Sequence, residues 1–211
     1  MSSSIAIIPY KTGNIKSVYQ SLEKIGEKPY VPASHEEINT SSALILPGVG
    51  HFGRANEYLE KSGFKRKILK LVSDGIPILG ICLGFHLLTF NSEESANARG
   101  FELFPLMTKK IISSNKVKFK VPHIGWNQID QSNGDLILFR GIERSNLLFY
   151  YCNSYGVRAV NSPSLNYSIF NHESDWLASF ELKNIFGVQF HPEKSRTQGL
   201  QVLRNFADTI S

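Results

Sequence analysis

The sequence predicts an α/β chain: a mostly parallel sheet with helices on both faces, and an antiparallel β excursion in its second half. Three patterns predict it. Over the first half, short and continuously apolar runs closed by proline or glycine alternate with stretches of helical period. Runs of that kind are strands buried on both faces, as a parallel sheet requires. The second half is dense in strand-like runs, with a helix only at its end. No internal repeat, low-complexity tract or linker interrupts the chain, so a single domain over 1–211 is expected.

In order, Ile5-Ala6-Ile7-Ile8 is the first strand, closed by Pro9. Ile15, Val18, Tyr19, Leu22 and Ile25 then recur on one face of a helix, with Gly26 where a C-terminal cap belongs. Ala43-Leu44-Ile45-Leu46 is the second strand, ended by Pro47-Gly48. A charged helix is expected from Arg54 to Ser73, with Ile68, Leu69, Leu71 and Val72 on its apolar side. Ile78-Leu79-Gly80-Ile81 is the third strand, continued by a helix from Leu83 to Phe90. Further strands are expected at Val117–Val121, Ile124–Ile129, Leu136–Phe139, Leu147–Cys152, Tyr167–Phe170, Trp176–Phe180 and Ile185–Phe190. A last helix, Thr197 to Ile210, carries Leu200, Leu203, Phe206, Ala207 and Ile210 on one face. Sites in such sheets form at the carboxyl ends of strands, where the turns Pro9–Asn14, Pro47–Gly53 and Cys82–Gly84 fall.

Composition narrows the function. With 42% apolar and 19% charged residues the chain is neither disordered nor membrane-like. The uncharged stretch from Gly75 to Ser92 is broken by Gly75, Pro77, Gly80 and Gly84, and reads as strand, turn and helix rather than a membrane span. The N-terminus lacks the basic flank and apolar core of a signal peptide, and two cysteines make no disulfide framework. A reducing, cytoplasmic setting is expected. The net charge of +5 is spread over lysine groups with few interleaved aromatics, which argues against nucleic acid. Cys, His, Asp and Glu do not cluster at metal-ligand spacings, so neither metal nor cofactor is expected.

The chemistry begins at Gly80-Ile81-Cys82-Leu83-Gly84. Small residues two positions either side of a nucleophile are what a sharp strand-to-helix turn needs. Such a turn lifts Cys82 off the sheet to a helix N-terminus, which favours thiolate over thiol, and aims the Leu83 N–H at an oxyanion forming beside the sulfur. Cys152, in Phe149-Tyr150-Tyr151-Cys152, has no such setting and reads as a packed thiol. A thiol nucleophile needs a base, and the base an orienting partner. His191-Pro192-Glu193 follows the last strand. Along extended chain, residues two apart face the same way, so Glu193 can hold the Nδ1 proton of His191 and leave Nε2 for Cys82. In Pro47-Gly48-Val49-Gly50, glycines either side of Val49 permit a peptide to rotate and supply a second, switchable oxyanion donor. On these residues alone a cysteine peptidase or DJ-1-like hydrolase stays open.

Taken in chain order, these pieces resemble the class I glutamine amidotransferases. Pro47-Gly48-Val49-Gly50-His51-Phe52-Gly53, Val121-Pro122-His123-Ile124-Gly125-Trp126-Asn127 and Gly187-Val188-Gln189-Phe190-His191-Pro192-Glu193-Lys194-Ser195 look like the glutaminase subunits of imidazole glycerol phosphate synthases within that family. The resemblance runs from Ile5 to about Phe206. It implies a flavodoxin-like amidotransferase fold, and Cys82 attacking the side-chain amide of glutamine with His191 and Glu193 as base and orienter. It implies an oxyanion hole from Gly48, Val49 and Leu83. Further, it implies His86, Glu94, Ser154 and Tyr155 around the substrate, and Asn14, Ile124, Trp126, Tyr150 and Lys194 at the mouth where ammonia crosses to a partner. That partner is a (β/α)8-barrel cyclase subunit, which converts the ammonia into imidazole glycerol phosphate and aminoimidazole carboxamide ribotide in histidine biosynthesis.

Three segments depart from the family's pattern. His86 stands where Gln is usual, and a histidine there titrates near neutral pH. Pro9-Tyr10-Lys11-Thr12-Gly13-Asn14 replaces Asp-Tyr-Gly-x-Gly-Asn, and Asn153 stands where His is frequent. These keep open a paralogue that feeds ammonia to another acceptor synthase, such as one amidating a surface-polysaccharide sugar, and a non-catalytic regulatory subunit.

Overall fold

The computed structural model describes residues 4–10, 14–114, 119–160 and 165–210. Twelve strands follow in chain order: β1 Ser4–Ile7, β2 Lys28–Tyr30, β3 Ala43–Leu46, β4 Ile78–Ile81, β5 Thr108–Lys110, β6 His123–Gln128, β7 Gln131–Asn133, β8 Leu148–Asn153, β9 Tyr155–Val157, β10 Asn166–Asn171, β11 Asp175–Leu182 and β12 Ile185–Val188. The α-helices are α1 Ile15–Lys24, α2 Phe52–Lys61, α3 Phe64–Ser73, α4 Leu83–Leu88 and α5 Arg196–Ala207.

Eight strands form one sheet in the order β2-β1-β3-β4-β12-β11-β10-β7. From β2 to β12 the neighbours are parallel. From β12 to β7 they are antiparallel. The centre is buried on both faces: β3, β4 and β12 are buried at every residue. Alternate side chains serve two cores. Leu44 and Leu46 pack with Leu59, Phe64, Ile68 and Phe85 from α2, α3 and α4 on one face. Ala43 and Ile45 pack with Val18, Leu22, Val202, Leu203 and Phe206 from α1 and α5 on the other. Two ribbons, β5 with β9 and β6 with β8, flank the carboxyl ends of the central strands.

The alternation of strands and helices in the first half is as the apolar runs predict, with two corrections. The expected helix from Arg54 to Ser73 is two helices, broken at Gly63, which sits at φ 80° in the left-handed region. The helix at Leu83 stops at Leu88 rather than Phe90. In the second half, Leu136–Phe139 is not a strand. Ile137–Phe139 is a turn of 3-10 helix. Buried side chains satisfy its backbone in place of a strand partner: Glu181 accepts the N–H groups of Ile137 and Leu138 at 2.9 and 2.8 Å, and Asn205 Nδ2 donates to the carbonyls of Leu138 and Arg140. Of the strand expected at Val117–Val121, residues 117 and 118 lie outside the described residues, and 119–121 are not in a strand. The three-residue strands β2, β5, β7 and β9 went unread, being too short to show a period.

Candidate active site

Cys82 joins β4 to α4 at φ 49° and ψ −101°, a left-handed φ that only surrounding structure can impose on a residue with a side chain. Its N–H is anchored on the Val188 carbonyl at 2.8 Å. The flanking glycines are sterically required. A Cβ on Gly84 would lie 2.0 Å from the Leu46 carbonyl oxygen, and one on Gly80 2.6 Å from the Gly84 backbone. The elbow therefore packs backbone against backbone, and Cys82, 6% exposed, emerges at a cavity of about 350 Å³. Gly48, Val49, Leu83, His86, Glu94, Ser154, Tyr155 and Ile124, all named from the sequence, line that cavity. Leu83 is the first residue of α4, where an amide N–H has no intrahelical acceptor. The Pro47-Gly48 turn leans on the elbow, since a Cβ on Gly48 would meet the Ile81 carbonyl at 2.3 Å. Glu94 accepts the Phe52 N–H at 2.8 Å, at the start of α2.

His191 reaches the same place from the next strand. β12 pairs with β4 in register, Val188 opposite Ile81. His191 Nδ1 lies 2.8 Å from Glu193 Oε1, and both side chains are fully buried. The pairing is as expected but the backbone differs: Pro192–Lys194 is a 3-10 turn, so Glu193 curls back to the ring rather than running beside it in extended chain. His191 Nε2 is buried with no hydrogen-bond partner. Burial works against a proton on this ring, but the neighbouring Cys82 sulfur and the Glu193 carboxylate outweigh it and raise its pKa to about 10. Asn14, expected at the partner-facing mouth, donates from Nδ2 to Glu193 Oε1 at 2.7 Å.

His86 does not behave as its residue type suggests. Burial lowers its pKa to about 4, so it is neutral at physiological pH rather than titrating there. Its Nε2 lies 2.8 Å from Gln189 Oε1, and Gln189 Nε2 lies 3.7 Å from Cys82 Sγ. Cys152 is likewise corrected. Its side chain is exposed rather than packed, and its carbonyl lies 4.0 Å from Cys82 Sγ.

Ile124, Trp126, Tyr150 and Lys194 form one patch continuous with the site. On the β6–β8 ribbon Ile124 opposes Cys152 and Trp126 opposes Tyr150, all on its outer face. Ile124 is 63% exposed and Trp126 39%. Trp126 meets Tyr150 edge to face, Lys194 lies over the Tyr150 ring, and Arg196 lies over Trp126.

The family described as Glutamine amidotransferase class-I matches residues 6–210. The chain belongs to the class I glutamine amidotransferase family. It is 39% identical over 206 residues, 98% of this chain and 95% of the relative, to the imidazole glycerol phosphate synthase subunit HisH of Bacillus cereus (strain ATCC 10987 / NRS 248). The HisH of Bacillus thuringiensis subsp. konkukian matches to the same extent. Among solved structures, a glutamine amidotransferase superposes with a TM-score of 0.73 at 14% identity, covering 97% of this chain and 98% of that one. PurLQS from Thermotoga maritima superposes at 0.75 with 18% identity, each chain covered fully. These two speak for the fold.

Two residues of this amidotransferase's site escaped the sequence reading. Gln189 is wholly buried in an otherwise apolar run, and a lone carboxamide there was the signal that could have marked it. Tyr10 is 1% exposed with an unpartnered hydroxyl, its pKa pushed well above the usual value by burial, then by the charges of Cys82 and Glu193. Among the described residues no group of three or more metal-ligating side chains is assembled, and no helix is long and apolar enough to cross a membrane.

Proposed function

We propose that the chain is the glutaminase subunit of an imidazole glycerol phosphate synthase, one amidotransferase domain over 1–211 that works in the cytoplasm. One observation carries the reading: a strained cysteine at a cavity floor beside a buried imidazole held by a carboxylate at 2.8 Å. Cys82 Sγ attacks the side-chain amide carbon of glutamine. The oxyanion is received by the Leu83 N–H and by the Val49 peptide once it rotates. His191, carrying a proton opposite the thiolate, gives it from Nε2 to the departing nitrogen, and the C–N bond breaks to release ammonia. A γ-glutamyl thioester remains. Water attacks it as His191 takes back a proton, and glutamate leaves with the sulfur restored. Glu193 keeps the ring oriented through both halves. Glu94, Ser154 and Tyr155 hold the α-amino and carboxylate end of the substrate.

Ammonia needs a closed path, because in water at neutral pH it is mostly ammonium and has no lone pair to attack with. The exposed patch of Ile124, Trp126, Tyr150 and Lys194 beside the site suits a docked partner, and a (β/α)8-barrel cyclase subunit is the one we propose. The retained triad geometry and the engaged His86 disfavour a non-catalytic subunit. The test uses the complex. Cys82→Ala is expected to abolish imidazole glycerol phosphate synthesis driven by glutamine while ammonium salts still support it. Equal loss with both nitrogen sources would sink the division of labour. Ammonia-driven turnover on a different acceptor only would reassign the partner.

A further inference from the structure

Gln189, wholly buried between β12 and His191, has a partner at each end of its carboxamide. Oε1 faces His86 Nε2 at 2.8 Å, and Nε2 faces Cys82 Sγ at 3.7 Å. A carboxamide is nearly symmetric in shape but not in polarity. Turned over, it would set its oxygen against the sulfur and its N–H2 against the imidazole. The far partner selects between these. A neutral imidazole with its hydrogen on Nε2 donates to Oε1 and admits only the orientation that points N–H2 at the sulfur. His86 lies one helical turn beyond Cys82, so α4 fixes both ends of the chain of contacts.

We infer that Gln189 is a positioning residue for the nucleophile, donating its N–H to Cys82 Sγ, and that the Nε2–H of His86 locks the Gln189 carboxamide in that orientation. The inference rests on the reading of Cys82 as the attacking thiolate. Hydrogen bonding to the charged form of a group favours that form, so the sulfur has a second stabilising neighbour besides His191. This also explains how a histidine serves four residues after the cysteine. What Gln189 requires there is a donor, and a glutamine side chain provides one equally.

The test is the rate of Cys82 alkylation by iodoacetamide against pH in the full chain, followed by peptide mass spectrometry so that Cys152 is scored separately. In the parent chain, rapid labelling of Cys82 near neutral pH tests the nucleophile reading by itself, and an inert Cys82 overturns that reading and the inference together. Given a reactive parent, Gln189→Leu is expected to move the profile up by about one pH unit, so that labelling slows about tenfold at pH values below the parent's midpoint. His86→Leu is expected to shift it the same way, and His86→Gln to restore the parent profile. A Gln189→Leu profile superimposable on the parent overturns the inference. His86→Leu without a shift, or His86→Gln failing to restore, overturns the role of His86. Should Gln189→Leu fail to fold by circular dichroism, Gln189→Glu takes its place. It keeps the shape and turns an oxygen toward the sulfur, so a larger upward shift is expected and an unmoved profile is again fatal.

Discussion

Asn14 Nδ2 and His191 Nδ1 converge on one atom, Glu193 Oε1, at 2.7 and 2.8 Å. A single carboxylate oxygen thus serves two donors, and the residue preceding α1 is part of the triad's support. Asn14→Leu leaves Glu193 free to turn away from the ring. Glutamine hydrolysis by the complex is expected to lose about tenfold in kcat with little change in KM, because the interaction holds a catalytic group and not the substrate. Steady-state kinetics check it, and an unchanged kcat contradicts it.

His86 gives the fold a dependence on acid. The unfolded chain takes up a proton on this ring near pH 6.5, while the folded chain refuses it until about pH 4. The unfolded state binds more protons between those values, so stability falls as pH drops through that window. The difference is on the order of 3 kcal/mol. His86→Gln removes this contribution, so urea midpoints measured at pH 7 and pH 4.5 should lie closer together than in the parent. Some slope persists, because burial and then the neighbouring His172 also lower His123, to about 4. Parallel slopes for parent and variant would remove His86 as the cause.

Gly84→Ala places a methyl 2.0 Å from the Leu46 carbonyl oxygen. Both are backbone-held, at the junction of β3, β4 and α4, so neither yields cheaply. A loss of about 4 kcal/mol or failure to fold is expected, read as a drop in Tm or in soluble yield. A variant as stable as the parent would mean that the elbow relaxes more than its contacts suggest.

Trp126 presents its ring on the ribbon's outer face beneath the Arg196 guanidinium. In the proposed complex a half-exposed tryptophan stacked by a cation is a natural anchor. Trp126→Ala is expected to weaken association with the barrel subunit by at least about tenfold, measured by titration calorimetry of the two purified chains. Retained affinity would move the interface elsewhere.

The half of the fold with strong periods was legible. Apolar runs such as Ala43–Leu46 and Ile78–Ile81 are read at once because both faces are covered. What escaped lacked local signal. Ile137–Phe139 carries the composition of a strand, but its backbone is satisfied by Glu181 and Asn205, far away in sequence. The site divides the same way. Cys82, His191 and Glu193 announce themselves through glycine spacing and adjacency. Tyr10, Gln189 and the contact of Asn14 with Glu193 depend on long-range packing that no spacing encodes. His86 shows the limit most plainly: residue type suggested a neutral-pH titration, and enclosure removes it.

The sulfur and the imidazole follow the ends of two paired strands, one residue beyond Ile81 and three beyond Val188, which lie opposite each other. Beyond β12 the outer ribbon takes over, for the Tyr150 carbonyl of β8 accepts the His191 N–H at 2.9 Å. The strand whose outer face is turned to solvent at Tyr150 thus also seats the imidazole, so a push on that surface is felt at the bond-breaking centre without any intervening relay.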